Sequence, residues 1–283
     1  MTAQESKKRG EAESRPAEQG FYVYAIAERD ALARAFEDAP PAAIEPDAAL
    51  EMVEQDDLAA VVSPVPLTAY GEDALQEHLA DATWTAVRAM RHERVVEHFA
   101  RRASVVPLRF GTIYLERDRL RGMLSERRVE LFAVIERLRG REEWGLNVYC
   151  DRAKLLEGIA ALSPRLRELS ERAEASSPGQ SYLVRKKIDA LKETEARVEI
   201  KRVAERVEEE LAPESGARVR LRVLKDEATE HGELAAKFAF LVERASFDSF
   251  RAAAERLADE YTGAGFRLEL TGPWPAYNFA AHG

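Results

Sequence analysis

The string HERVVEH at residues 92–98 is the first place to look for chemistry. A zinc-protease helix needs His-Glu-x-x-His, so that two imidazoles stand one turn apart on one face. Here Val96 takes the place of the second histidine. His98 follows His92 at a spacing that puts it roughly 240° around a helix, so the two rings cannot share a metal. Both are expected as solvated side chains on a helix face. His78, His231 and His282 form no local set, and the single cysteine, Cys150, has no neighbouring histidine to activate it. Phosphate loops of the GxxxxGK(S/T) or GxGxxG kind are missing. Asp and Glu number 51 against 42 Lys and Arg, but they fall on charged helix faces, where solvation and pairing one turn away account for them. No catalytic residue, cofactor or metal is expected, and the chain is not expected to be an enzyme.

Two patterns bear on binding instead. KFAFLVE (residues 237–243) loosely echoes the third strand of an RRM, whose aromatics stack bases on an open sheet, and an RRM-like RNA-binding protein is the alternative reading. The glycine that should follow Lys237 is absent, and both faces of the run are apolar, which predicts a covered sheet. Arg218, Arg220 and Arg222 line one face of the preceding strand, expected as a solvated or ion-paired face. Within PLRFGT, Arg109 stands between Leu108 and Phe110, with Gly111 after them. Glu93, on the otherwise apolar face of the preceding helix, is expected to meet Arg109 as a partly buried ion pair.

The elements that must position these residues follow from periodicity. The chain has 283 residues, 46% hydrophobic and 33% charged, enough for two domains with real cores. A net charge of −9 argues against a general nucleic-acid or membrane-surface binder. Residues 1–19, rich in Glu, Lys, Arg, Ser and Gly, have no apolar run; they are expected as a disordered tail, not a signal peptide. No uncharged apolar stretch approaches 18 residues, so no membrane span is expected and the protein is expected in the cytoplasm. FYVYAIA (21–27) reads as a strand, 31–36 as a short helix ended by Pro40 and Pro41, and 51–54 with 58–63 as a hairpin. Leu75, Leu79, Ala82, Ala86, Ala89, Val96 and Phe99 follow helical spacing and predict one long helix over 73–102. VVPLRFGTIY reads as a strand with Val106, Leu108, Phe110 and Thr112 on one face, and 117–138 as a helix closed by Gly140.

The second half repeats the order: strand 144–150, helical segments 152–174 and 180–211, strands 217–224 and 236–243, helix 246–261 and strand 266–270. The expected fold is therefore α+β, with two domains, each built on a ferredoxin-like antiparallel sheet, and the first helix of the second domain expanded into a helical pair. The division is expected near Gly140: an N-terminal domain over 20–140 and a C-terminal one over 141–283.

The chain closes on TGPWPAYNF (271–279), three aromatics and two prolines directly after the last strand. It is expected to be a clasp in which Pro273 and Pro275 stiffen the exit from the sheet and Trp274, Tyr277 and Phe279 pack back across the domain. Taken together, FYVYAIA, VVPLRFGTIY after a long helix, the E-x-G-hydrophobic strand at 143–148 and the closing GPWP resemble the gas-vesicle protein F/L family (GvpF/GvpL) over almost the whole ordered chain. That family's closing segment usually reads closer to GPWPPYSF; Ala276 and Asn278 depart from it, so the match rests on Gly272, Pro273, Trp274, Pro275, Tyr277 and Phe279. With Arg109 and Gly111, these are the candidate structural or partner-contact residues. The resemblance implies a non-enzymatic accessory protein of gas-vesicle formation, cytoplasmic or vesicle-associated. It would bind the small wall-forming shell protein and other accessory proteins during nucleation or growth, through a sheet edge or an interdomain cleft, without nucleic acid or membrane.

Overall fold

A computed structural model of the chain describes residues 18–223, 228–229 and 232–280. Residues 1–17 of the expected tail, and His231 and His282, lie outside the described residues; Gln19 already begins the first strand. The chain divides into two compact units, one ending at Phe132 and the other beginning at Ala133.

In the first unit, β1 (Gln19–Glu28) is followed by α1 (Arg29–Glu37), β2 (Glu51–Gln55) and β3 (Leu58–Pro66). The remainder is α2 (Leu67–Tyr70), α3 (Glu72–Leu79), α4 (Ala82–Ala100), β4 (Val106–Pro107), β5 (Ile113–Tyr114), α5 (Arg117–Glu126) and α6 (Arg128–Leu138), whose last part belongs to the second unit. The sheet order is β2-β3-β1-β4, antiparallel throughout, with β5 also on β1. That is the ferredoxin-like arrangement. β1 is central because its run from Tyr22 to Ala27 is apolar on both faces and wholly buried, as a covered inner strand requires.

Three expectations are corrected here. The helix over 73–102 is two helices. Asp81 accepts hydrogen bonds from the Thr83 and Trp84 amides at 2.9 and 3.1 Å, capping α4 and ending α3 before it. The helix over 117–138 likewise breaks at Arg127. VVPLRFGTIY is no continuous strand. Leu108 N–H donates to Tyr24 O (2.8 Å) and Val23 N–H to Thr112 O (2.9 Å), so the residues between, 109–111, leave the ladder. Thr112 folds back with both its amide and its hydroxyl on the Arg109 carbonyl, and Gly111 takes φ +82°.

The second unit runs β6 (Arg141–Cys150), α7 (Arg152–Leu162), α8 (Pro164–Glu174), α9 (Pro178–Leu211), β7 (Ala217–Leu221), β8 (Ala228–Thr229), β9 (Gly232–Glu243), α10 (Phe247–Thr262), β10 (Phe266–Trp274) and α11 (Tyr277–Ala280). Its order, β10-β6-β9-β7, is the same arrangement again, with β8 pairing on β9. The expanded first crossover holds three helices, not two: Ser163 caps the amide of Leu166 and Pro164 opens α8, so the segment over 152–174 turns a corner. Phe238, Phe240, Val242, Leu146 and Val148 face α9 and α10 in one core with Val203, Val207 and Phe250. β10 runs past Leu270 as far as Trp274, pairing Trp274 with Glu143 across a bulge.

Candidate functional site

The excursion at 109–111 is held by a hydrogen-bonded chain that begins in FYVYAIA. Gly111 N–H donates to Tyr22 Oη (3.0 Å), and Tyr22 Oη lies 3.0 Å from His92 Nδ1. The His92 ring makes a further hydrogen bond to the backbone of Leu108. A neutral imidazole that donates to the Leu108 carbonyl accepts at Nδ1, so the Tyr22 O–H donates the hydrogen bond to His92 Nδ1. His92 is 1% exposed, and burial drives its pKa down to about 4, only partly offset by the Leu108 bond. The solvated histidine expected at this position is thus a buried, neutral bracket joining α4 to both ends of PLRFGT. Burial also raises Tyr22 well above the ordinary tyrosine range, and Tyr24 to about 12. Tyr24 Oη takes the Ile44 amide and pairs with Ser63 Oγ, each at 2.8 Å. The Phe110 ring covers the group, its centroid 6.2 Å from Tyr22 and 5.8 Å from His92.

Arg109 and Glu93 are both exposed, so neither is in the partly buried setting expected of them. His98 is half-buried, its Nε2 3.4 Å from the Ala35 carbonyl.

In the second unit the closing segment is fastened by polar groups. Glu143, 4% exposed, receives the Asn278 amide at 3.0 Å and the Asn278 side-chain Nδ2 at 2.5 Å. Burial raises the Glu143 pKa, and the two Asn278 donors pull it part of the way back. The Arg137 guanidinium donates to the Phe279 carbonyl. Gly272, at φ +124° before a cis bond to Pro273, takes a conformation that strains any side chain, and a Cβ there would stand a tight 3.1 Å from the Glu143 carbonyl and 3.3 Å from the Trp144 ring. Pro275, Ala276 and Phe279 are buried and Tyr277 half-buried, whereas Pro273 and Trp274 are exposed. Trp274 is 54% exposed, its indole N–H on Thr271 Oγ1 at 3.2 Å, so it is not the packed aromatic expected of a clasp. In the sequence Glu143 and Asn278 figured only as landmarks, and Arg137 was not singled out; Glu143 follows Arg141 and Glu142 at the start of β6, and nothing local marks it as the buried one.

The other patterns are absorbed structurally. Phe238 and Phe240 lie in the core beneath Phe250, so this strand offers no aromatic platform. Arg218 pairs with Glu208 at 3.2 Å and Arg220 lies over the Phe238 ring. Cys150 is buried, its thiol pushed up to about 12, first by burial and then by Glu233. Among the described residues no group of three or more His, Cys, Asp or Glu side chains could hold a metal, and no helix is long and apolar enough to cross a membrane.

Two hollows remain. One in the first unit, of 540 Å³, is lined by Glu28, Arg29, Asp30, Asp57, Arg128 and Phe132. Its charges are already matched, Arg29 with Asp30 and Arg128 with Asp57. The other, of 340 Å³, runs along the edge of the second sheet between β10 and α10, lined by Trp144, Leu146, Phe247, Leu268 and Leu270. Trp144 stacks on Phe247 at 4.1 Å and buries its indole N–H without an acceptor.

The chain compares as follows with known proteins. The profile of a family described as gas vesicle synthesis protein GvpL/GvpF matches residues 20–281. Gas vesicle protein L of a Streptomyces species is 30% identical over 227 residues, 79% of this chain and 80% of that protein. Gas vesicle protein F of the same organism is 31% identical over 196 residues, 67% and 76% of the two chains. Among solved structures, the crystal structure of GvpF from Anabaena superposes with a TM-score of 0.65 at 16% identity, covering 94% of this chain and 97% of that one. GvpF from Microcystis aeruginosa gives 0.58 at 14% identity, covering 93% and 99%. A profile match over nearly the whole length, carried by relatives at this identity, places the chain: it belongs to the GvpL/GvpF family of gas vesicle synthesis proteins.

Proposed function

We propose that the chain is a non-enzymatic assembly factor of gas vesicles. It binds the small wall-forming shell protein, in concert with other accessory proteins, during nucleation or growth, and resides in the cytoplasm or on the vesicle. Family membership supports the gas-vesicle role. The observation that carries the binding is an edge strand, β10, flanked by the 340 Å³ apolar groove. Before it assembles, a wall protein exposes apolar surface and strand edges that aggregate. An edge with a groove beside it satisfies both, main chain to main chain and side chain into groove. A chain of net charge −9 stays soluble while doing so and repels nucleic-acid phosphate.

Co-expression with the shell protein tests this reading. The chain is expected to raise the soluble fraction of the shell protein and to co-purify with it, and Ala258→Trp, which fills the groove from α10, is expected to abolish both. Unchanged shell solubility with no co-purification would sink it.

A further inference from the structure

The 34-residue helix α9 is much longer than bracing the sheet requires. Its C-terminal half contributes Ala196, Val203, Ala204, Val207 and Leu211 to the core. Its N-terminal half buries only Ile188 before Glu195 and leaves an outer face open. At about 100° per residue, Tyr182, Leu183, Lys186, Lys187 and Ala190 share that face, and Thr194, Arg197, Val198 and Lys201 prolong it over about 28 Å. All are exposed, among them three large apolar side chains: Tyr182 at 66%, Leu183 at 65% and Val198 at 58%.

The charge on this face is out of keeping with the chain. Farther along α9 the cations are matched within the helix, as in Arg202–Glu199, Lys201–Glu205 and Arg206–Glu210. On this face Lys186, Lys187 and Arg197 form no ion pair among the described residues. Three unmatched cations on the face that carries exposed Tyr182 and Leu183, on a protein of net charge −9, are complementary to one kind of surface. We infer that the outer face of α9 docks an acidic amphipathic helix of a partner protein, laid along α9, with its carboxylates on Lys186, Lys187 and Arg197 and its apolar stripe on Tyr182, Leu183 and Val198. A second copy of the chain would set these cations against themselves. A membrane surface requires a continuous apolar face, and here the apolar groups are split between the two ends of the stripe. The inference does not depend on whether the shell protein occupies the β10 groove.

The test uses the full chain carrying a photo-crosslinking benzoylphenylalanine at Ala190 or Thr194, expressed with the complete set of gas-vesicle proteins, with crosslinked peptides identified by mass spectrometry. The expected product at both positions is one acid-rich helical segment of another protein. Its yield should exceed that from a control position, Glu209, at least tenfold, and fall at least tenfold in Lys186→Glu/Lys187→Glu. If that variant does not fold, irradiation in high salt gives the same readout, since exposed charge attraction is screened. A yield no greater than at Glu209, a crosslink to a second copy, to lipid or to a segment without acids, or a yield insensitive to charge reversal and to salt, would overturn the inference.

Discussion

Asn278 meets the Glu143 carboxylate twice, once through its backbone amide and once through its side chain. This pair joins the last helical turn to the first strand of the second sheet, across 135 residues of sequence. Asn278→Ala takes one donor from a buried carboxylate, which should cost about 1–3 kcal/mol and raise the Glu143 pKa further. Asn278→Asp sets a second carboxylate against the first and should cost more at neutral pH, with the loss relieved as acid protonates either group. Urea unfolding at pH 7 and pH 5 measures both; equal stability of the two variants at pH 7 would contradict the arrangement.

The roles of the two closing aromatics separate in the same assay. Trp274, on the surface, should tolerate Trp274→Ala within about 0.5 kcal/mol. Phe279 is buried, so Phe279→Ala should cost about 3–5 kcal/mol. The reverse order would mean that Trp274 packs as a clasp after all.

Why one aromatic was misread and another was not is a matter of range. FYVYAIA was legible as an inner strand because an unbroken apolar run can satisfy its side chains only between two layers. The ferredoxin-like order followed from the alternation of such runs with helical stripes. PLRFGT deceived because Val106, Leu108, Phe110 and Thr112 alternate with period two, though Pro107 lacks a donor and Gly111 supplies a turn. His92 and Glu143 were illegible for another reason. Each is buried only because a partner distant in the sequence, Tyr22 or Asn278, satisfies it, and no local pattern records such a partner. Trp274 was expected to pack because it follows the last strand between two prolines, yet β10 extends to it and it stands exposed to solvent.

Cys150 offers a check on the second core. Its thiol is buried at the end of β6, and the raised pKa keeps it protonated at pH 8. A disulfide reagent should leave it unmodified in the folded protein and react fully in 6 M guanidinium. Rapid labelling without denaturant would show that this end of β6 is open.

The His92 bracket makes acid stability measurable. Its pKa of about 4 in the folded chain stands against 6.5 when unfolded. Between these values the unfolded state binds the extra proton, so stability is full above about pH 6.5 and declines as pH falls toward 4. The shift corresponds to about 3 kcal/mol. His92→Gln can still donate to Leu108 and accept from Tyr22 but cannot titrate, so it should remove this part of the acid dependence. His92→Phe should instead cost stability at every pH, because it leaves the Tyr22 O–H without its acceptor and the Leu108 carbonyl without the ring's donor. Chemical unfolding of the three proteins at pH 7.5, 6 and 5 distinguishes them: the parent should lose stability relative to His92→Gln as pH falls, and parallel curves for the two would mean that the ring at the centre of the PLRFGT junction is not held neutral.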